Sequence, residues 1–281
     1  MNDILETANS ILCKGSLLSL ETPLVMGILN LTPDSFSDGG KYNQIDTALA
    51  RVGEMLEDGA DIIDVGAFSS RPGAKFISVS EEKLRLKDIL KEITRAYPKA
   101  ILSLDTFRSE IAKWAVQDLG VAIINDISAG EMDKDMFETI ASLQVPYIIM
   151  HMQGKPDNMQ INPSYEDVTR DIILYFTRKL ERLKELAVHD VIIDPGFGFG
   201  KTLENNYQLL KELDHFKVLE KAILVGLSRK SMIQKVLGVN ASETLNGTTV
   251  LNTLAVEKGA NILRVHDVRE AKELVRLRSQ L

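Results

Sequence analysis

Eight short, nearly continuous apolar runs recur along this chain, each separated from the next by a longer segment of helical period. They are LVMGIL (24–29), DIIDV (61–65), AILSL (100–104), VAII (121–124), PYIIM (146–150), DVIID (190–194), AILVG (222–226) and NILRV (261–265). A strand that is apolar at consecutive positions must be covered on both faces, which is the situation of a parallel sheet with helices outside it. Between the runs the period changes. Leu86, Ile89, Leu90 and Ile93 follow the i, i+3, i+4, i+7 rule of a helix face, with Ser80 placed as its N-cap. Ile172, Phe176, Leu180, Leu183 and Ala187 mark another such face, and Asp267 and Glu270 have capping-box spacing ahead of Leu274 and Val275. Eight strand–helix units predict a closed (β/α)8 TIM barrel, with a doubly wound open sheet as the alternative that strand counting leaves open. Ahead of the first run, ILCKGSLLSL reads as a short N-terminal β-hairpin turning at Lys14-Gly15, in a position to plug the bottom of the barrel.

The 281 residues suit one such barrel, for which about 250 is usual. No linker-like or low-complexity stretch interrupts them, so residues 1–281 are expected to form a single domain. Cys13 is the only cysteine, which fits a reducing compartment and leaves no disulfide framework. Acidic side chains outnumber basic ones by 40 to 33, so the broad positive potential wanted by nucleic acid or anionic membranes is missing. The opening MNDILETANS lacks the basic and apolar regions of a signal peptide, and no apolar run approaches the roughly 18 residues of a membrane span. The expectation is a cytoplasmic enzyme acting on small molecules, without nucleic-acid or membrane partners.

In a barrel of this kind function gathers at the C-terminal strand ends. Polar residues stand at nearly all of them: Asn30, Asp64, Asp105, Asn125-Asp126, His151, Asp194, Ser228-Arg229-Lys230, and Arg264 with His266. Burying so many polar groups is costly unless a ligand or each other pairs them. Asp105, Asn125 and Asp194 offer acceptors and a bifunctional amide, suited to the edge of a flat, nitrogen-rich heterocycle. Ser70, Arg71, Arg229, Lys230, Arg264 and His266 offer donors and positive charge, suited to phosphate. Asn30, with the nearby Asp34 and Asp38, would supply hard oxygen ligands to Mg2+. Simpler readings hold elsewhere: Asp64 as a buried structural partner, His151 as a satisfied core histidine, His189 and His215 as surface residues. GFGFGKT (196–202) reads equally as a site or as a close-packed turn; with Pro195 in place of a glycine it fails the Walker pattern.

MGILNLTPDSFSDGG, SSRPGA, IINDI, MHMQG, DPGFGFGK, GLSRKS and RVHDV closely resemble, in order and along nearly the whole chain, the motifs of the dihydropteroate synthase family. That resemblance implies a transferase of folate biosynthesis that condenses 6-hydroxymethyl-7,8-dihydropterin pyrophosphate with p-aminobenzoate, releasing pyrophosphate. It also implies a homodimer, a target for sulfonamides, and Mg2+ held by Asn30. Asp105, Asn125, Asp194 and Lys230 match the family's pterin contacts. Arg264 matches the side chain flanking the pterin face and, with His266, meets the pyrophosphate; the catalytic set implied is Asn30, Lys230, Arg264 and His266. Ser70 falls where a substrate-contacting threonine is usual, and Phe36, Arg71, Pro72, Gly198 and Phe199 match the aminobenzoate side. The chain departs from the common GGESTRPGA, carrying Phe68 for the glutamate and Ser70 for the threonine. Two other functions stay open on sequence: a pterin-binding methyltransferase domain, and a paralogue that binds pterins without condensing them.

Overall fold

The computed structural model describes residues 10–31, 41–67, 77–154, 159 and 163–281. The chain enters through an antiparallel hairpin, β1 (Ser10–Cys13) and β2 (Ser16–Ser19). Lys14 and Gly15 between them both take positive φ, 49° and 73°, the conformation that a two-residue hairpin turn requires. Alternation along β1 buries Ile11 and Cys13 and leaves Leu12 exposed. The buried pair packs with Leu20 against Leu24, Met26, Ile62, Ile123, Ile148, Ile192, Leu224 and Ile262. The hairpin therefore closes the lower end of the barrel, as its apolar alternation suggested.

The barrel strands are β3 (Leu24–Asn30), β4 (Ile62–Gly66), β5 (Ile101–Asp105), β6 (Ile123–Asp126), β7 (Tyr147–Met150), β8 (Val191–Asp194), β9 (Ala222–Val225) and β10 (Ile262–Val265). All neighbouring pairs are parallel, and β10 pairs with β3 to close the ring, which removes the open-sheet alternative. Helices α1 (Lys41–Glu57), α2 (Val79–Ala96), α3 (Ser109–Leu119), α4 (Met136–Leu143), α5 (Val168–Glu185) and α6 (Leu203–Lys211) follow successive strands. Two helices, α7 (Ser231–Leu237) and α8 (Leu245–Glu257), lie between β9 and β10, and α9 (Val268–Arg278) follows β10.

The two-residue period of the strands sorts the side chains. Val25, Ile63, Leu102, Ile124, Ile149, Ile193, Ile223 and Leu263 belong to the layer between strands and helices. Met26, Ile62, Ile123, Ile148, Ile192, Leu224 and Ile262 face the axis with the hairpin. Two or four residues further along the inward set come Asn30, Asp64, Asp105, Asn125, Asp194 and Arg264. The same parity that fills the lower barrel with isoleucine and leucine thus points polar groups into its upper end.

Helix faces agree with the periodicity except at their ends. Leu86, Ile89, Leu90 and Ile93 are buried on α2, but its N-cap is Ser78, whose hydroxyl accepts from Glu81 N at 3.1 Å. Ser80 lies inside the first turn; Ser78-Val79-Ser80-Glu81 has the capping spacing two residues earlier than expected. On α5, Ile172, Phe176 and Leu183 are buried with Leu180 partly so, while Ala187 lies beyond the helix with φ 57°. Asp267 does stand at the N-cap of α9, yet its carboxylate caps nothing there and engages Arg229 instead.

The two serines at the start of α2 separate by experiment. Ser78→Ala is expected to cost about 1 kcal/mol in urea unfolding, as the loss of an N-cap does. Ser80→Ala, on an exposed side chain, is expected to stay within about 0.5 kcal/mol of the parent. Equal losses would return the cap to Ser80.

Candidate active site

Strand register sets the neighbours at the upper end of the barrel. Asn30, Gly66, Asp105 and Asn125 are laterally paired across β3, β4, β5 and β6. Asp64 stands one inward position lower and is fully buried. Its Oδ2 accepts from Asn125 Nδ2 at 3.0 Å and from Arg264 Nε at 2.7 Å. A second guanidinium nitrogen of Arg264 donates to Asp105 Oδ2 at 3.2 Å. One arginine from β10 therefore holds carboxylates of β4 and β5. Burial pushes the Asp105 carboxyl up to about 7, against the pull of Arg264. Burial also works against the charge of Arg264, but Asp64 and Asp105 outweigh it and hold the cation above its ordinary range. Asp64 is the buried structural partner expected, with one addition: its Oδ1 is buried without a partner among the described residues.

Asn125 and Asp126 are adjacent in sequence and opposite in role. Asp126 faces the helix layer, where it accepts from Tyr147 Oη at 2.6 Å, Ser128 Oγ at 2.7 Å and Gly130 N at 2.8 Å. It secures the turn after β6.

After β8 the chain makes the GFGFGK turn. Asp194 Oδ1 accepts from Gly196 N at 2.8 Å. Burial raises its pKa, while that N–H and the cations of Lys230, Arg264 and Lys201 draw it down. Gly196 and Gly200 have φ of +73° and +60°, and a Cβ at Gly196 would lie 1.9 Å from His151 O. These glycines are demanded by close backbone approach, so the turn reading is correct for them. Lys201 then folds back into the turn, its ammonium donating to Gly196 O at 2.8 Å, Phe199 O at 2.9 Å and His151 O at 3.3 Å, with His151 Nδ1 at 3.1 Å. An ammonium only donates, so Nδ1 accepts and His151 is the satisfied core histidine expected. Burial, aided by the Lys201 charge, pushes it down to about 2.

The lysine staple holds Phe199 at the mouth, packed on Ile127, Met150, Met152 and Met159. Lys230 Nζ lies 4.1 Å from the centre of the Phe199 ring, a cation–π distance. Burial lowers Lys230 to about 8, opposed by Asp194. Gly198 donates its N–H to Asn206 Oδ1 at 2.6 Å, and a Cβ there would come within 3.3 Å of Lys230 Cδ.

At the last two strand ends, Ser228 Oγ lies 3.0 Å from His266 Nδ1 and accepts from His266 N at 3.2 Å. Arg51 of α1 donates to His266 O at 2.8 Å. Arg229, in the left-handed region at φ 58°, gives its guanidinium to Asp267 at 2.5 and 3.2 Å. The phosphate-donor expectation for Arg229 therefore meets a side chain already engaged.

The structure thus gathers Asp105, Asn125 and Arg264 through Asp64, and Gly198, Phe199 and Lys230 beside the turn after β8. Phe36, Phe68, Ser70, Arg71 and Pro72, with Asp34 and Asp38, lie outside the described residues. Sequence reasoning missed the staple of Lys201, the reach of Arg51 to His266, and a buried Glu82 that accepts from Thr106 Oγ1 at 2.8 Å and from Arg108. Only Lys201 had a signal, as the charged residue closing a glycine-rich turn.

Comparison with known proteins bears on the same residues. Residues 26–266 match the family of pterin binding enzymes. The dihydropteroate synthase of Escherichia coli K12 is 42% identical over 266 residues, covering 94% of this chain and 93% of that protein. The Yersinia pestis dihydropteroate synthase, solved with a sulfonamide drug, superposes with a TM-score of 0.90 at 39% identity over 96% of this chain and 98% of its own. The Xanthomonas albilineans enzyme, solved with 4-aminobenzoic acid, gives a TM-score of 0.90 at 35% identity over 98% of each chain. The chain belongs to the dihydropteroate synthase family of pterin-binding enzymes.

Proposed function

We propose that residues 1–281 act as one pterin-binding unit that condenses 6-hydroxymethyl-7,8-dihydropterin pyrophosphate with p-aminobenzoate to give 7,8-dihydropteroate and pyrophosphate. The observation that carries this reading is the meeting, in one inward-facing ring, of the acceptors Asp105, Asn125 and Asp194 with the cations Lys230 and Arg264. The acceptors and the Asn125 amide suit the N–H groups and ring nitrogens of a pterin edge. Arg264 flanks the pterin face, and Lys230, Arg264 and His266 answer the charge of the leaving group. The bond between the pterin methylene carbon and a pyrophosphate oxygen breaks, and the electron pair leaves with pyrophosphate. The electron-rich pterin stabilises the carbon left behind. The aminobenzoate nitrogen supplies the new bonding pair and sheds its proton. Placement and charge stabilisation suffice for such a step. Ser70 is assigned to the pterin pyrophosphate, and Phe36, Arg71, Pro72, Gly198 and Phe199 to the aminobenzoate side, where a sulfonamide would compete.

Asn30 ends β3 level with Gly66 and Asp105, and its amide oxygen is a hard donor. That donor fits Mg2+, which takes few protein ligands and shares the rest with phosphate and water. When bound, the ion neutralises charge on the departing pyrophosphate. A homodimer is supported by α7 and α8, which leave Val236, Leu237, Leu245, Val250 and Leu254 exposed for a second copy to cover. Among the described residues no helix is long and apolar enough to cross a membrane; a cytoplasmic location is proposed from this together with the single, buried thiol of Cys13.

A coupled pyrophosphate-release assay tests the reaction: release is expected only with both substrates present, in step with dihydropteroate. Pterin binding without release would make the chain a non-catalytic paralogue. Asn30→Ala is expected to cut turnover strongly while leaving affinity for a pterin without pyrophosphate unchanged; turnover within a factor of two of the parent would remove Asn30 from the reaction.

Acidity gives a further check. With its pKa raised to about 7, Asp105 gains a proton and loses an acceptor as pH falls, so pterin affinity should be about tenfold weaker at pH 6 than at pH 8. Asp105→Asn should bind weakly at both. Equal slopes for parent and variant in calorimetry would assign the titration elsewhere.

A further inference from the structure

The Ser228–His266 pair carries a proton inventory as well as two distances. Ser228 Oγ accepts from the backbone N–H of His266 at 3.2 Å and lies 3.0 Å from Nδ1 of the same residue. A hydroxyl has one proton and two lone pairs. One lone pair is taken by the backbone N–H, and among the described residues Nδ1 is the acceptor within reach of the proton. An Nδ1–H donating to the second lone pair would leave the hydroxyl's own proton without an acceptor among the described residues, at a residue only 5% exposed. Donation to Nδ1 avoids that cost and sets the ring's own proton on Nε2, on the side away from Ser228. We infer that Ser228 is a positioning residue that holds His266 as the Nε2–H tautomer, so that the ring meets the leaving pyrophosphate as a hydrogen-bond donor. The role at the leaving group rests on the function proposed above; the tautomer rests on the hydrogen bonds alone.

The tautomer matters because the ring is neutral. Burial, followed by the charges of Arg229 and Arg264, with Lys230 adding to them, disfavours a second proton; Asp267 opposes them, and the balance leaves His266 at about 4. A neutral imidazole has one donor and one acceptor, and an anion is served only by the donor. The opposite tautomer would set a lone pair against a phosphate oxygen. The geometry around the pair is held from both ends. Arg51 secures His266 O at 2.8 Å, and Arg229 with Asp267 ties the next residue of each loop together. Ser228 is 5% exposed, so water has little room to replace its hydroxyl.

The chain has four histidines, His151, His189, His215 and His266, so ring-15N histidine labelling gives a spectrum simple enough to assign with a His266→Asn variant. At pH 7 the expected result for His266 is an unprotonated Nδ1 and a protonated Nε2. In Ser228→Ala the two nitrogen shifts should move toward each other as the tautomers mix, with kcat lower by about tenfold and the KM for aminobenzoate little changed. Ser228→Thr keeps the hydroxyl and should restore both the shifts and kcat. A protonated Nδ1 in the parent protein, or a tautomer unmoved by Ser228→Ala, would overturn the inference. Undiminished turnover in His266→Ala would overturn the leaving-group role while the tautomer stood.

Discussion

One guanidinium holds the upper end of this barrel together. Arg264 meets Asp64 at 2.7 Å and Asp105 at 3.2 Å, and Asp64 in turn receives Asn125. Without the arginine, two carboxylates from adjacent strands would face each other with little water to screen them, a costly arrangement. With it, both are held and their free lone pairs are fixed in direction. Asp194 is held by the N–H of Gly196, and the charges of Lys230, Arg264 and Lys201 draw its carboxyl down against its burial. The presence of these cations beside the acids lets so much charge persist in a barrel interior, with acceptors and cations aimed at one common space.

Strand parity brings these groups to that space. Each inward polar position follows an inward isoleucine or methionine of the axial cluster by two or four residues, so the apolar lower layers and the hairpin plug define the floor on which the polar layer rests. The outward neighbours bind the same strands to the helices. Asn125 and Asp126 illustrate the consequence: one residue of displacement separates a pterin-edge candidate from a carboxylate that only secures a turn.

Much of this was legible in the sequence because its causes are local. Strands buried on both faces must be apolar at consecutive positions, so all eight could be read, and a polar residue ending such a run is conspicuous. Where the cause is distant, legibility fails. Asp267 was correctly placed at a helix start, but its partner, Arg229, is 38 residues away and draws the carboxylate off the cap. Ser80 reads as the cap because it stands immediately before the glutamates, whereas the structure caps the helix from Ser78, three residues ahead of Glu81. Lys201 looked like part of a glycine-rich loop; the carbonyls that surround it exist only once the turn has formed. Pterin and aminobenzoate themselves came from the resemblance of whole motifs, since composition and spacing reach only as far as a heterocycle and a phosphate.

If Arg264 links the acids as a single unit, their effects on pterin affinity cannot be independent. A double-mutant cycle of Asp64→Asn and Asp105→Asn, read by calorimetry with a pterin lacking pyrophosphate, measures that link directly. The expected coupling is at least about 1 kcal/mol, since either substitution already loosens the arginine that serves the other. Losses that add within about 0.5 kcal/mol would mean that each carboxylate acts alone, and the arginine-centred site would be wrong.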